Sequence, residues 1–185
     1  MALIVKDGGD FENHPEGQFR AVCMDVVDLG MVENKKFNKM QHKIALVFHT
    51  EAKMKDGRPF EIWERFTATL TSNGYLRPFL ESWRGKAFNP AELDGFDIEK
   101  LIGANAYIQV IHNRVGDKVY ANIKSVMMLP KGLDKVPATP GYERRKDRAP
   151  DPSKVPAMAG GQEPPPLDEM PAGLDDDGGE DSLPF

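Results

Sequence analysis

Trp63 and Arg65 lie two positions apart in the stretch FEIWERFTATL (60–70), so a strand here carries both side chains on one face. An aromatic ring beside a guanidinium can stack on a planar ligand and attract an anion. More rings and bases surround this pair in the sequence: Lys35, Lys36, Phe37, Lys39, Lys43, Lys55, Arg58, Tyr107, Tyr120 and Lys124. These residue types indicate a binding surface for a planar, anionic partner.

The residue patterns of familiar catalytic and metal sites do not occur in this sequence. It has one cysteine, Cys23, and four histidines without the spacing of metal ligands. It also lacks a glycine-rich phosphate loop ending in Lys-Ser or Lys-Thr, a G-x-S-x-G elbow and an H-E-x-x-H motif. We therefore expect a protein that is not an enzyme and holds neither a metal nor a cofactor.

Charge and composition divide the chain of 185 residues into a body and a tail. From position 149 onward there are nine acids and one base, whereas the first 148 residues hold 20 acids and 23 bases. Eleven of the 15 prolines lie from Pro130 onward, and such a stretch buries too little apolar surface to order itself. We expect a folded domain over 1–130, a disordered Pro/Gly-rich linker over 131–174 and an acidic tip over 175–185. A basic cluster, ERRKDR (143–148), lies just past the domain.

The pattern of the first 130 residues predicts an all-β domain with one helical insert. Alternation and β-branched residues predict strands over 18–30 and 41–50 and from Pro59 onward, and an Asp56-Gly57 turn joins the last two. Apolar residues at helical spacing follow in YLRPFLESW (75–83), with Ser72 or Asn73 as the expected cap and Gly85 as the expected end. Two more strands, 104–114 and 118–129, meet at a Gly116-Asp117 turn.

The order β-β-β-α-β-β is that of a five-stranded OB-fold barrel. An SH3-like barrel has no such helix, and a ferredoxin-like fold needs a helix after its first strand. The segment MVENKKFNKM (31–40) is too short and too polar to be that helix. We therefore predict an OB-fold barrel followed by a disordered C-terminal tail.

For a domain of this type, single-stranded nucleic acid is a suitable partner. Bases stack on aromatic rings for roughly 1–3 kcal/mol each, while Lys and Arg follow the phosphates. Purely structural roles stay open at this point, because Trp63 could pack under the helix and Tyr107 could cover an open end of the barrel. Each lysine could also be ordinary solvated surface.

The C-terminal residues carry a resemblance to a known family. An acidic run that ends in an exposed Leu-Pro-Phe, hung by a flexible linker from an OB-like domain, resembles the single-stranded DNA-binding proteins of bacteria and bacteriophages. The body looks more like the divergent phage and prophage members. The resemblance implies that the tip docks on replication, recombination and repair enzymes through Asp175, Asp176, Asp177, Glu180, Asp181, Leu183, Pro184 and Phe185.

We therefore expect a sequence-tolerant protein that coats single-stranded DNA and recruits partner enzymes, located in the cytoplasm of a bacterial host. It has neither a membrane-length apolar run nor a recognisable signal peptide, and a homo-oligomer is possible. At low salt the acidic tail could also fold back on the basic body and compete with DNA. Two other functions stay open: an OB-type protein–protein adaptor or inhibitor that does not bind nucleic acid, and an anionic DNA mimic, with which the net positive body conflicts.

Overall fold

The computed structural model describes residues 12–148, which form a five-stranded antiparallel sheet with helical elements inserted between the third and fourth strands. The strands are β1 (Gly17–Asn34), β2 (Lys39–Lys53), β3 (Pro59–Thr67), β4 (Asn105–Val115) and β5 (Lys118–Met128). The insert holds helix α1 (Leu76–Arg84), the five-residue helix α2 (Pro90–Asp94) and a 3-10 turn at Ile98–Leu101. The predicted order of elements is confirmed.

The first two strands are longer than the sequence pattern suggested. MVENKKFNKM, predicted to be a linker, is instead the end of a hairpin in which Asn34 pairs with Lys39. The turn is closed by Asn38 with φ of 49°, a conformation that Asn tolerates better than most residues, and the Asn34 amide donates to Gln41 across the strands. Polar side chains conceal these pairs from a pattern based on hydrophobicity, because both faces of the hairpin are solvated.

The sheet is not closed into a barrel. Its strand order is β3-β2-β1-β4-β5, so β3 and β5 are the two edges, and curvature of the sheet brings these edges near each other. Within residues 12–148 no strand ladder joins them. Instead the side chain of Glu64 on β3 is hydrogen-bonded to the backbone of Ile123 on β5. A hydrogen bond to the Glu64 side chain thus links these two edges, where a closed barrel has a ladder.

The main core lies between the concave inner face of the sheet and helix α1. Phe48 and Leu46 of β2 and Phe66 of β3 face Leu80 and Trp83 of the helix, and all five are buried. The amphipathic spacing of α1 is confirmed, as is its end at Gly85, which takes a left-handed conformation with φ of 69°. The predicted cap at Ser72 or Asn73 is wrong, because the residue at the cap position is Tyr75, which makes no side-chain capping bond.

Residues 131–148, which we call the strap, run back across the sheet after β5. The strap is tied down by paired hydrogen bonds between the Asn105 amide and the backbone of Val136, at 2.7 and 3.2 Å. The Thr139 hydroxyl bonds the His49 ring at 2.7 Å, and the guanidinium of Arg20 donates to the Asp134 carbonyl at 3.1 Å. The composition of this segment predicts part of a disordered linker. The structure differs there, since side chains of the sheet supply the partners that composition alone does not reveal.

Replacing Gly85 by Ala is expected to destabilise the domain by about 1 kcal/mol, because a side chain is strained at positive φ. A Cβ at this position would lie 3.6 Å from the Met128 side chain, an ordinary contact distance, so backbone strain is the cause of the expected loss. Gly95→Ala is the matched control, since Gly95 has an extended φ of −172° and nothing lies within 4 Å of a Cβ there. Urea unfolding of both variants measures the difference, and equal stabilities would contradict this account of the helix end.

Glu64→Gln is expected to change how stability depends on pH. Burial raises the pKa of Glu64 to about 8, well above the value of about 4.3 for an unfolded chain. Between these two pH values the folded chain keeps a proton on Glu64 that the unfolded chain has lost. The stability that protonated Glu64 contributes is therefore complete below about pH 4 and lost as pH rises through about 8. The loss is at most roughly 1.4 kcal/mol per pH unit.

The variant should therefore be more stable than the original chain near pH 8 and show a flatter profile in thermal unfolding. Glu33→Gln, at an exposed position in the β1–β2 hairpin, is the control and should retain the original profile. A Glu64→Gln profile identical to that of the control would rule out a neutral, buried Glu64.

Candidate nucleic-acid interface

The surface of β1, β2 and β3 that points away from helix α1, here called the outer face, holds several of the predicted binding residues. Cross-strand pairing places Val47 beside Trp63, Ala45 beside Arg65 and Lys43 beside Thr67. Period-two alternation puts these side chains on one side, because Ile44, Leu46 and Phe48 point into the core. Strand alternation thus brings Lys43, Trp63 and Arg65 together as the sequence predicted.

Trp63 lies on the outer face and not under the helix. Its ring packs on Ala45 and Val47 in a small apolar cluster, and only 7% of the residue is exposed. The indole N–H donates to Glu61 at 2.7 Å, and the guanidinium of Arg145 from the strap lies 4.7 Å from the centre of the ring. In this arrangement the open face of the indole is covered by a cation, so a base cannot stack directly on Trp63.

Asp25 anchors the strap to the outer face. Its carboxylate is 1% exposed and accepts hydrogen bonds from the Arg144 guanidinium at 2.9 Å, the Arg145 backbone at 2.7 Å and the Val26 backbone at 2.8 Å. A buried carboxylate costs several kcal/mol unless it is paired and hydrogen-bonded, and these donors satisfy both needs. Strand β1 therefore needs Arg144 and Arg145 to satisfy the buried carboxylate of Asp25, and the same contacts hold the strap on the sheet.

Glu99, in the 3-10 turn before β4, makes a second attachment. It accepts from Arg144 at 2.8 Å and from the Lys146 ammonium at 2.9 Å. The Arg144 hydrogen bond, followed by that from Lys146, lowers the pKa of Glu99 to about 2. This carboxylate is solvent-accessible, so water and salt weaken the pair, and the Asp25 contact remains the stronger anchor.

His49 and Glu61 form a polar cluster beside Trp63. The His49 ring bonds Glu61 at 3.2 Å and Thr139 of the strap at 2.7 Å, and it meets the ring of Tyr142 edge-on at 5.2 Å. Burial alone would raise the pKa of Glu61, but hydrogen bonds from His49 and Trp63 outweigh it and hold that pKa below its usual range. An ionised Glu61 therefore faces the strap, where the charge of Arg145 compensates it.

The basic end of the outer face consists of Lys43 and Arg65. The Lys43 ammonium donates to the Thr67 hydroxyl at 2.7 Å, and the residue is only 8% exposed. Its aliphatic stem therefore lies against the sheet, and its charged end is held by Thr67. These two cations and Arg145 of the strap belong to one continuous surface over β2 and β3.

The loop residues predicted to bind lie at the two ends of this surface. Phe37, 40% exposed, and its neighbour Lys36 are at the tip of the β1–β2 hairpin, with the ammonium 5.4 Å from the ring. Lys35 belongs to the same turn, and Lys39 begins β2. Lys55 and Arg58 are in the β2–β3 turn, where Arg58 pairs with Asp56. Because β2 has 15 residues, the two groups are roughly 45 Å apart along the strand.

Tyr107, Tyr120 and Lys124 are not brought together with Trp63. Tyr107 is on β4, which lies on the other side of β1 from β2, and its hydroxyl bonds Gln18 at 3.3 Å. Tyr120 pairs with Asn113 at the far end of the β4–β5 hairpin, and Lys124 occupies a bulge in β5. These three residues therefore lie on strands other than the one that carries Trp63. The tip residues 175–185 lie outside the described part of the chain.

Sequence reasoning missed the residues that the strap adds, namely Arg144, Arg145, Lys146 and Tyr142. It noticed ERRKDR only as a basic cluster beyond the domain. A usable signal was Asp25 within the apolar run AVCMDVV, because a carboxylate in a buried strand needs a base from elsewhere in the chain. The same reasoning applies to Glu61 in β3, which lies near Arg145.

A cavity of about 560 Å³ lies on the opposite side of the sheet, near α1 and α2. Its walls are largely apolar, and its rim carries Glu99 and the pair formed by Asp28 and His42 at 2.7 Å. No Lys or Arg is among the described residues that line this cavity, so it lacks the cations that phosphates need. The outer face is thus the better surface for a nucleic acid.

Other site types find little support in residues 12–148. No group of three or more His, Cys, Asp or Glu side chains there is placed to hold a metal ion. Burial raises the pKa of the Cys23 thiol to about 12, so it stays protonated at neutral pH. Over the same residues, every helix is too short or too polar to span a membrane.

No protein-family model matches the chain, and no curated protein is significantly similar to it in sequence. Its function therefore has to be inferred from its own residues and geometry.

Asp25→Asn is expected to loosen the strap, because the neutral amide keeps the size of the side chain but removes the counter-charge of Arg144. A loss of about 1.4 kcal/mol would raise the open fraction roughly tenfold. Limited trypsin digestion measures this directly, since Arg144, Arg145 and Lys146 are cleavage points within the strap. Asp94→Asn, at an exposed position in α2, is the control. Equal cleavage rates for the two variants would show that Asp25 does not hold the strap.

Proposed function

We propose that this protein binds single-stranded DNA with little sequence preference, along the outer face of β1, β2 and β3. The observation that carries the proposal is the row formed by Lys43, Arg65 and the Trp63–Arg145 stack, with lysines at the adjacent hairpin. Cations along such a row suit phosphates, and flat groups suit unpaired bases. The row offers no set of paired amide donors and acceptors aimed at base edges, which fits sequence-tolerant binding.

We also propose that the fold is an open variant of the OB-fold. The support is that β1 pairs with both β2 and β4, that the helix lies between β3 and β4, and that β3 approaches β5 where a closed barrel would pair them. OB-folds bind oligonucleotides on the strand 2–3 face and the adjoining loops. The surface proposed here from charge and aromatic content lies on the corresponding strands, β2 and β3.

The acidic tip is proposed to recruit partner enzymes, and support for this comes from the sequence alone. A short peptide with a terminal aromatic anchor and a free carboxylate can be captured by a small basic pocket. Deleting Phe185 should then abolish capture of such enzymes and leave the affinity for DNA unchanged.

A direct test of the DNA proposal is a titration of labelled dT oligonucleotide of about 16 nucleotides, followed by fluorescence anisotropy. Tight binding to the single strand, weak binding to duplex of equal length and weaker binding at about 200 mM than at about 50 mM salt are expected. The double variant Lys43→Gln/Arg65→Gln should lose roughly tenfold to a hundredfold in affinity. Its salt slope should fall by about 1.4, since each single-strand phosphate contact contributes about 0.7.

Arg77→Gln/Lys86→Gln is the matched control, because it removes two positive charges from α1 and the residues after it, on the other side of the sheet. It should bind like the original chain. If the full chain and a chain shortened to residue 150 both fail to bind at about 50 mM salt, the DNA proposal is wrong. A protein–protein adaptor would then be the function to pursue, with the exposed Met31, Phe37 and Met40 of the hairpin as its first candidate surface.

A further inference from the structure

Residues 139–148 of the strap lie where a DNA strand on the outer face would have to pass. Two roles are compatible with that position: the segment either blocks the face and leaves when DNA binds, or it stays and forms part of the interface. Charge and burial distinguish these roles, and the inference below rests on the DNA-binding function proposed above.

Without the strap, the outer face and its rim would be a poor surface for phosphates. Near Trp63 and the attachment points of the strap, three acids, Asp25, Glu61 and Glu99, stand against two bases, Lys43 and Arg65. Arg20 and Glu51, at the end of the face, pair with each other and add no net charge. Residues 139–148 add four bases and two acids, which changes the local balance from one negative charge to one positive charge. The strap bases are also directed at the acids, since Arg144 pairs with Asp25 and Glu99, and Lys146 pairs with Glu99.

Displacement of the strap would also leave strand groups without partners. Asp25 is 1% exposed, so its carboxylate would lose the Arg144 guanidinium while remaining in a poorly hydrated position. His49 would lose Thr139, and Glu61 would face incoming phosphates without the charge of Arg145. A bound polyanion supplies no positive charge to replace Arg144 or Arg145.

Arg145 is placed to contact DNA while the strap stays closed. The central carbon of its guanidinium lies over the Trp63 ring, 4.7 Å from the ring centre, and guanidinium groups stack on aromatic faces. Unpaired bases stack on guanidinium planes as well as on aromatic rings. The indole of Trp63 thus packs against one side of the Arg145 guanidinium, and the other side is the one that an unpaired base would contact.

We infer that the strap is an integral part of the DNA interface and that Arg145, supported by Trp63, is the platform on which a nucleobase stacks. Trp63 acts as a positioning residue in this arrangement, and Arg145 provides both the flat surface and one phosphate-attracting charge. The ligand class is unpaired nucleobase together with its adjacent phosphate.

The test uses the full chain with Arg145→Ala, Arg145→Lys and a charge-matched control, Lys86→Ala. Affinity for a labelled dT oligonucleotide and for an abasic oligonucleotide of the same length is measured over a range of salt. Arg145→Ala is expected to weaken dT binding about tenfold and to lower the salt slope by about 0.7. Arg145→Lys should keep the slope but bind dT roughly threefold more weakly, because an ammonium has no plane on which a base can stack.

The abasic oligonucleotide separates stacking from charge. On it, Arg145→Lys should match the original chain and Lys86→Ala should differ little on either ligand. Arg145→Ala that binds dT as tightly as the original chain would overturn the inference. Tighter binding would overturn it and also assign the strap a blocking role. If the original chain does not bind dT at all, the proposed function fails and the inference fails with it. The two failures can be distinguished, because the original chain alone tests the function and the variants test the inference.

Discussion

The buried carboxylate of Asp25 is the constraint on which the arrangement of this protein depends. A negative charge at 1% exposure in the middle of β1 has to be hydrogen-bonded and neutralised, and the base that pairs with it comes from the strap. Arg144 and the Arg145 backbone meet that need from more than a hundred residues later in the chain. The strap therefore belongs to the folded domain, and the domain extends to about residue 148.

That one attachment also determines the character of the outer face. It brings Arg145 over Trp63, covers the apolar cluster of Ala45, Val47 and Trp63, and places cations beside Glu61 and Glu99. A second constraint comes from the edges of the sheet, because β3 and β5 approach each other without a ladder of backbone hydrogen bonds. There Glu64 bridges the gap to Ile123, and its raised pKa reflects the burial required for it to do so.

Local patterns in the sequence predicted much of this fold because they reflect local physics. Alternation placed Trp63 and Arg65 on one face, Asp56-Gly57 and Gly116-Asp117 mark real turns, and Gly85 ends the helix. The barrel closure and the strap were not predictable in this way. Closure depends on curvature summed over five strands, and a segment rich in Pro and Gly appears disordered unless its distant partners are known. The sequence likewise groups Tyr107 and Tyr120 with Trp63, because strand alternation assigns a side chain to one face of its own strand but does not give the position of that strand in the sheet.

The central claim is that the strap stays on the sheet and takes part in binding. Hydrogen–deuterium exchange of peptides covering 139–148, with and without saturating dT oligonucleotide, tests it most directly. The account predicts slow exchange at the Arg145 amide in the free protein, because that N–H donates to Asp25, and slower exchange across the strap in the complex. Faster exchange of these amides when DNA binds would show that the strap is released, and would contradict the claim.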